Sequence, residues 1–518
     1  MRRLGPVVLI LLLAFGLRMA RLQGRPLWYD EAFALLYASS SPAQMVYGTL
    51  TPVEGAGAAD VHPLLFYFLL HAWMGLAGRS PLAARFLSVG FGMVTVALLG
   101  RLADWCFDRR TGMAVGLLAA ANPFHVAYSQ EARMYALLGL AAVAATYGLL
   151  RALEEETAST ARQTIPLCHL SICHSLIHPW PWVLYAVGAA LTLYAHNLGA
   201  FVLLALHLLA VARCRWWSRL PSLVLADLVA LALFSPWLVG VLPGQMGFVG
   251  RGYWLTPPGV DELVRALMLP VLTFYEPAPF WLLGLGLFTG LLVLALLLLR
   301  TWRTRARSGW FLLLCWVPML GLMLTSRWRP IYLERALLPS ALLYLLAVGW
   351  LLVRGGLPRP LRLGVMGLLV VTVAASLGVH YTYAGFPRPP FQEATAYLQD
   401  YAGPGDPVVH TNKLTFFPMH LYAPDLSGVF LADPPGSPQD TLAYPTQEAL
   451  GIFATSTITE AVGQAQQVWI VYFPREVEEV QAMGGGHPAL NWLEHRFALV
   501  EQQCFGDLVV ALYRREVP

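Results

Sequence analysis

Residues 28–32 read Trp28-Tyr29-Asp30-Glu31-Ala32, two adjacent carboxylates soon after the chain's first long apolar run, Val7 to Leu17. Ionised groups beside hydrocarbon are costly unless they face water or carry a task. The stretch therefore predicts a water-facing acidic step at the mouth of a multi-span protein. A carboxylate there can take the proton of an incoming hydroxyl or amine.

Composition points the same way. Of the 518 residues, 57% are hydrophobic and 12% charged, with mean hydropathy +0.58. Soluble globular chains carry roughly 25% charged residues, so this is a polytopic membrane protein. The net charge of +4 does not indicate a nucleic-acid partner, because the arginines sit in short clusters between apolar runs. Those clusters read as topology determinants. Lys413 is the only lysine, which reads as genomic bias. The six cysteines are scattered and form no disulfide framework. The start, Met1-Arg2-Arg3 and then an apolar run, resembles a signal peptide without a small-x-small cleavage site. It reads as a retained first helix.

Working outward, runs long enough to cross a bilayer fall at 5–21, 84–103, 112–128, 134–151, 222–241, 278–299, 310–326, 337–353 and 363–381. The run 181–212 is broken by His196-Asn197 and splits into a hairpin. The expected architecture is an α-helical polytopic membrane protein of about 11 transmembrane helices. Arg101, Arg109 and Arg110 share one side by parity with Arg151 and Arg162, with Arg213, Arg215 and Arg219, with Arg300, Arg303, Arg305 and Arg307, and with Arg354, Arg359 and Arg362. That side should be cytoplasmic. Asp30, Glu31, Glu131, His196, Arg335 and the tail then fall outside, in the plasma (inner) membrane. His62 to Gly78 reads as a helix in, or re-entering from, the outer interface, and 30–47 as a second interfacial helix. Residues 1–385 form the membrane domain. Pro387, Pro389 and Pro390 open a soluble α/β domain over 386–518, with an amphipathic helix at 391–401 and β-rich runs at 407–410, 468–473 and 508–513.

Each charged motif has a plain reading beside a chemical one. Asp30 and Glu31 either cap the interfacial helix or supply a general base and a neighbour that positions it. Glu131 and Arg133 either neutralise each other, or Glu131 shares a cavity with Asp30. There it would raise Asp30's pKa or bind a divalent cation with it. Asp60 and His62 either start a helix or hydrogen-bond a sugar or phosphate. Arg327, Arg329, Glu334 and Arg335 either snorkel to headgroups or hold phosphate. Arg335, leading into an apolar helix, calls for an anionic partner. His196-Asn197 contacts substrate or caps a turn. Cys168-His169, Cys173-His174 and His178 match no zinc spacing, so no metal site is assigned.

In order, W-Y-D-E-A, H-P-L-L-x-Y-x-L-L from His62, R-F-L-S-x-x-x-G from Arg85, E-A-R-M-Y from Glu131 and a late Arg335 resemble bacterial glycosyltransferase family 39. That family belongs to the GT-C superfamily, with protein O-mannosyltransferases and lipid A aminoarabinose transferases as relatives. The resemblance covers about residues 1–385. It implies inverting transfer of a sugar from a polyprenyl-phosphate carrier to a protein, lipid or glycan acceptor. It implies Asp30 as the catalytic carboxylate, Glu131 as the second acidic position and Arg335 as the phosphate-holding arginine. Glu31, His62, Arg85, Arg133, Tyr135 and His196 would line the pocket. No cofactor is required; a divalent cation is left open. Leu64 after Pro63, where the family usually has proline, and Ala336 after Arg335, where tyrosine is common, bear on pocket shape. The alternatives are a transporter or flippase of lipid-linked substrates, and a non-catalytic member with a partner-binding outer domain.

Overall fold

Every apolar run named above is helical in the computed structural model, which describes residues 4–51, 62–160, 179–213, 220–243, 255, 257–273, 278–304, 309–426, 428–433, 442–482 and 484–515. Asp60, the 168–178 Cys/His cluster, Arg162, Arg215, Arg219, Arg305 and Arg307 lie outside the described residues. The helices of the first part are α1 (Gly5–Met19), α2 (Tyr29–Ser39), α3 (Pro42–Leu50), α4 (Leu65–Ala77), α5 (Pro81–Cys106), α6 (Arg109–Ala121), α7 (Pro123–Ser129), α8 (Tyr135–Thr160), α9 (Trp180–Ala195), α10 (Ala200–Arg213), α11 (Leu220–Gly240), α12 (Val260–Met268), α13 (Phe280–Thr304), α14 (Trp310–Thr325), α15 (Leu338–Arg354) and α16 (Arg359–Thr382).

Among the described residues six helices are long and apolar enough to cross a bilayer: α5, α8, α11, α13, α15 with its preceding turn, and α16. The remaining expected spans fold shorter, α1 having 15 residues, α6 13, α9 16, α10 14 and α14 16. The run 112–128 is two helices. Asn122 accepts a hydrogen bond from the His125 N–H at 2.8 Å, and Pro123 starts the second helix. The single interfacial helix expected over 30–47 is also two. Ser41 and Gln44 form a reciprocal capping box and Pro42 opens α3. The 13 residues of α4 rise only about 20 Å, less than the roughly 30 Å of a hydrocarbon core.

Packing places α15 at the centre, with every residue from Leu338 to Leu352 buried. Small residues bring α8 and α9 together: a Cβ on Gly148 would lie 2.5 Å from the Tyr185 nitrogen, and one on Gly188 2.7 Å from the Ala145 nitrogen. Arginines gather at one end of the bundle. There Arg354 pairs with Asp108 at 3.0 Å, and Arg151 stacks on Trp105 and Trp180. Asp30, Glu31 and Glu131 with their partners lie toward the other end, by the first turns of α5 that carry Arg85.

After α16 the chain forms α17 (Phe391–Tyr401), β1 (Val408–His410), α18 (Lys413–Tyr422), β2 (Gly428–Phe430), α19 (Tyr444–Leu450), α20 (Ile458–Val462), β3 (Gln467–Tyr472), α21 (Pro474–Ala482), α22 (Pro488–Glu494), β4 (Phe497–Phe505) and β5 (Leu508–Arg515). The sheet order is β2-β1-β3-β5-β4, parallel through β3 and antiparallel beyond it. Alternation sends Val408, Trp469 and Val510 to one face under α17, and Val409, Ile470 and Ala511 to the other under α22. This unit is fastened to the helices. Phe416, Phe417, Phe430, Leu442 and Ala449 join the core cluster of the helical bundle. Tyr47 donates to Glu448 at 2.6 Å and Thr446 to the Gly48 carbonyl at 2.8 Å.

Candidate active site

Asp30 and Glu31 both lie in the first turn of α2, where carboxylates complement the helix's positive end. Neighbours on a helix point about 100° apart, so the two side chains meet different surroundings.

Glu31 turns inward. Arg85 on α5 reaches it with two parallel bonds of 2.8 Å, and Arg388 adds one of 2.5 Å. The Ala132 N–H also donates to it, at 3.1 Å. Arg85 spends its other N–H groups on the carbonyls of Leu22, Arg25 and Pro26. All five of its donors are used, and both side chains are fully buried. Burial pushes the Glu31 carboxyl up, but the two guanidiniums outweigh it and hold it well below the carboxylate range. Glu31 and Arg85 were expected to bind substrate. In the structure their hydrogen-bonding groups meet partners within the protein.

Asp30 turns toward the opening, with 16% of its side chain exposed. Arg335, in the helical turn Glu334–Leu337 that feeds α15, donates to Oδ2 at 2.6 Å. The Arg133 guanidinium stands 3.8 Å from the same oxygen and donates to the Tyr67 hydroxyl at 3.2 Å. Among the described residues none bonds Oδ1 of Asp30. Burial pushes this carboxyl up, while Arg133 and Arg335, aided by His62, bring it net below its usual value. The raised pKa considered from sequence is therefore reversed, because arginines and not Glu131 dominate the field at Asp30.

Arg335 stacks on Trp28 at 5.1 Å and Tyr135 at 5.6 Å. Tyr135 lies 6.0 Å from the His196 ring, which meets His62 at 5.3 Å. Five sequence-derived positions thus form one continuous wall with Asp30: His62, Arg133, Tyr135, His196 and Arg335. Arg327 and Arg329 are exposed. Glu131 faces Arg388, which donates to Oε1 at 2.5 Å, while its buried Oε2 has no partner among the described residues.

Two sets of residues escaped the sequence reading. Arg388 lies in the proline stretch that opens the C-terminal unit. The other set fixes the turn bearing Glu131 and Arg133. Gln130 donates to the Arg18 and Ala20 carbonyls at 2.8 Å each and pairs with His380 at 2.7 Å. Arg18, fully buried, bonds Ser129, His125 and three carbonyls, those of Ala14, Ala119 and Ala120. An arginine within an apolar helix was the available signal.

A divalent cation fits poorly. Asp30 and Glu131 each have one oxygen held by a guanidinium, and such ions want six or more oxygen ligands. No cluster of three or more His, Cys, Asp or Glu side chains suited to a metal occurs among the described residues.

Residues 61–162 match the model of the dolichyl-phosphate-mannose-protein mannosyltransferase family. That segment carries His62, Arg85, Glu131, Arg133 and Tyr135. No curated protein matches the chain by sequence. The structure resembles ArnT from Cupriavidus metallidurans bound to undecaprenyl phosphate, with TM-score 0.60, 12% identity and 98% of each chain covered. It resembles the apo state of the same protein with TM-score 0.58 and 13% identity, over 99% of this chain and 98% of that one. It also resembles the archaeal oligosaccharyltransferase AglB from Archaeoglobus fulgidus, in complex with an inhibitory peptide and a dolichol-phosphate. There the TM-score is 0.54 and the identity 12%, over 99% of this chain and 74% of that one. The chain thus shares its fold, along nearly its whole length, with these two proteins.

Proposed function

We propose that the chain is an inverting glycosyltransferase, moving a sugar from a polyprenyl-phosphate carrier to an acceptor on the extracytoplasmic side of the plasma (inner) membrane. The observation that carries this reading is the Asp30–Arg335 contact of 2.6 Å between two partly exposed side chains. It sets a proton acceptor beside an anion-binding group. Three carboxylates (Asp30, Glu31, Glu131) and four guanidiniums (Arg85, Arg133, Arg335, Arg388) are linked in this cluster, leaving 4 − 3 = 1 positive charge for an anionic headgroup. Undecaprenyl phosphate and dolichol-phosphate in the two similar proteins are anions of this kind.

The acceptor's oxygen or nitrogen attacks the anomeric carbon from the face opposite the phosphate. The carbon–oxygen bond to phosphate breaks and its electron pair leaves on the phosphate, held by Arg335 with Arg133. The acceptor's proton passes to Asp30 Oδ1. A single displacement inverts the centre. A carboxylate with a lowered pKa is always ionised near neutrality but is a weak base. Electrostatic stabilisation of the leaving phosphate is then the larger contribution. The prenyl chain stays in hydrocarbon while its headgroup reaches the pocket. No step runs through a metal.

The test is a transfer assay with purified protein in liposomes, a radiolabelled prenyl-phosphate sugar and a cell-envelope extract as acceptor source. Label moving onto a new product supports transfer. Label that only crosses the bilayer on its original lipid would favour the flippase alternative.

A further inference from the structure

Arg388 sits at the covalent joint between α16 and α17, and its guanidinium is only 3% exposed. It donates to Glu31 Oε2 and to Glu131 Oε1 at 2.5 Å each, and to the Pro26 carbonyl at 3.1 Å. Two residues earlier the same strand of chain is fixed to the sheet. The Phe386 N–H donates to Asp507 at 2.6 Å, in the turn between β4 and β5, and the Phe386 ring meets Phe473 at 5.2 Å and Arg475 at 5.0 Å. One short segment therefore has one foot in the sheet unit and the other in the acidic cluster.

We infer that Arg388 is a positioning residue that ties the seating of the C-terminal sheet unit to the placement of Asp30. This rests on the transfer reading of the same pocket. Two physical routes connect them. Trp28, which precedes α2 and sets its entry, lies against Arg388 at 5.3 Å and Arg335 at 5.1 Å. Removing the Arg388 guanidinium takes away one of the guanidiniums stacked on Trp28. The second route is charge. Glu31 keeps Arg85, but Glu131 keeps no hydrogen-bonding partner for either oxygen, Oε2 having none already. An uncompensated buried carboxylate attracts the nearest cation. Asp30 is faced by Arg133, Arg335, His62 and Tyr135. Drawing Arg335 toward Glu131 withdraws support from Asp30's ionised form.

The experiment compares Arg388→Gln, Arg388→Lys and Asp507→Ala with the wild type in the full-length protein. It reads donor KM, kcat, the acidic limb of the pH profile, and amide exchange across residues 28–34. Arg388→Gln should lower kcat about a hundredfold, the scale of a catalytic group misplaced by about 1 Å. Donor KM should rise by less than kcat falls, the acidic limb should move to higher pH, and exchange should quicken. Arg388→Lys, which keeps the charge but not the fork, should restore the limb and part of the rate. It also stands in if Arg388→Gln does not fold. Asp507→Ala, which loosens only the far anchor, should shift exchange in the same direction by less. A slower Arg388→Gln enzyme with unchanged limb and exchange overturns the inference, since Arg388 would then act on substrate directly. Unchanged rate, limb and exchange overturn it too. If the wild type transfers no sugar, exchange decides alone: faster exchange in Arg388→Gln upholds the tether while the transfer reading falls.

Discussion

Asp30 and Glu31 are adjacent, chemically alike and differently employed. Asp30 keeps an oxygen open to the pocket; Glu31 is closed by two guanidiniums. Asp30→Asn keeps the shape but removes the proton acceptor and its charge, so kcat should fall by about 10²- to 10⁴-fold while the protein still folds. Undiminished turnover would remove Asp30 from that role. Because Asp30's pKa is lowered, its ionised form persists below the ordinary value of about 3.9, and the acidic limb of kcat/KM should lie there. Arg133→Gln takes away a lowering cation, so the limb should move to higher pH; a limb that stays or moves down contradicts the assignment. Glu31 contributes to stability with the same sign. Its contribution is complete above its unfolded pKa of about 4.3 and is lost as pH falls through the lowered folded value. Arg85→Ala leaves Glu31 buried with half its support, which should cost about 3–5 kcal/mol, read by thermal unfolding in detergent.

At the scale of elements, the pocket depends on how helices end. Caps at Ser41 and Asn122 divide runs that periodicity alone joins, and each break redirects the chain toward the acidic end of the bundle. The α8–α9 contact has no room for side chains at Gly148 and Gly188. Gly188→Val should force the helices apart at a cost of about 1–3 kcal/mol. Since His196 follows α9 and meets His62 at 5.3 Å, the same variant should raise donor KM. A wild-type melting temperature would show that the pair can separate freely.

The molecule as a whole behaves as one packed body across its two parts, because aromatic residues of the sheet unit complete the core around α2. A chain ending at Thr382 would expose Phe33 and Tyr29, lose Arg388, and should fail to accumulate as a monodisperse species in detergent. Recovery of an active truncated protein would refute that dependence. The helical membrane architecture was legible in the amino-acid order, because hydrophobic periodicity and arginine spacing are local properties. So were Asp30, Arg133 and Arg335 as candidates, since a charge at the edge of an apolar run stands out in one dimension. Only the tertiary structure decided that Glu31 and Arg85 are spent on each other, that arginines outweigh carboxylates at Asp30, and that Arg388 closes the cluster from 357 residues away. Electrostatic partnership depends on distance in space, and a chain that folds back over hundreds of residues leaves no periodic trace of which charges will meet.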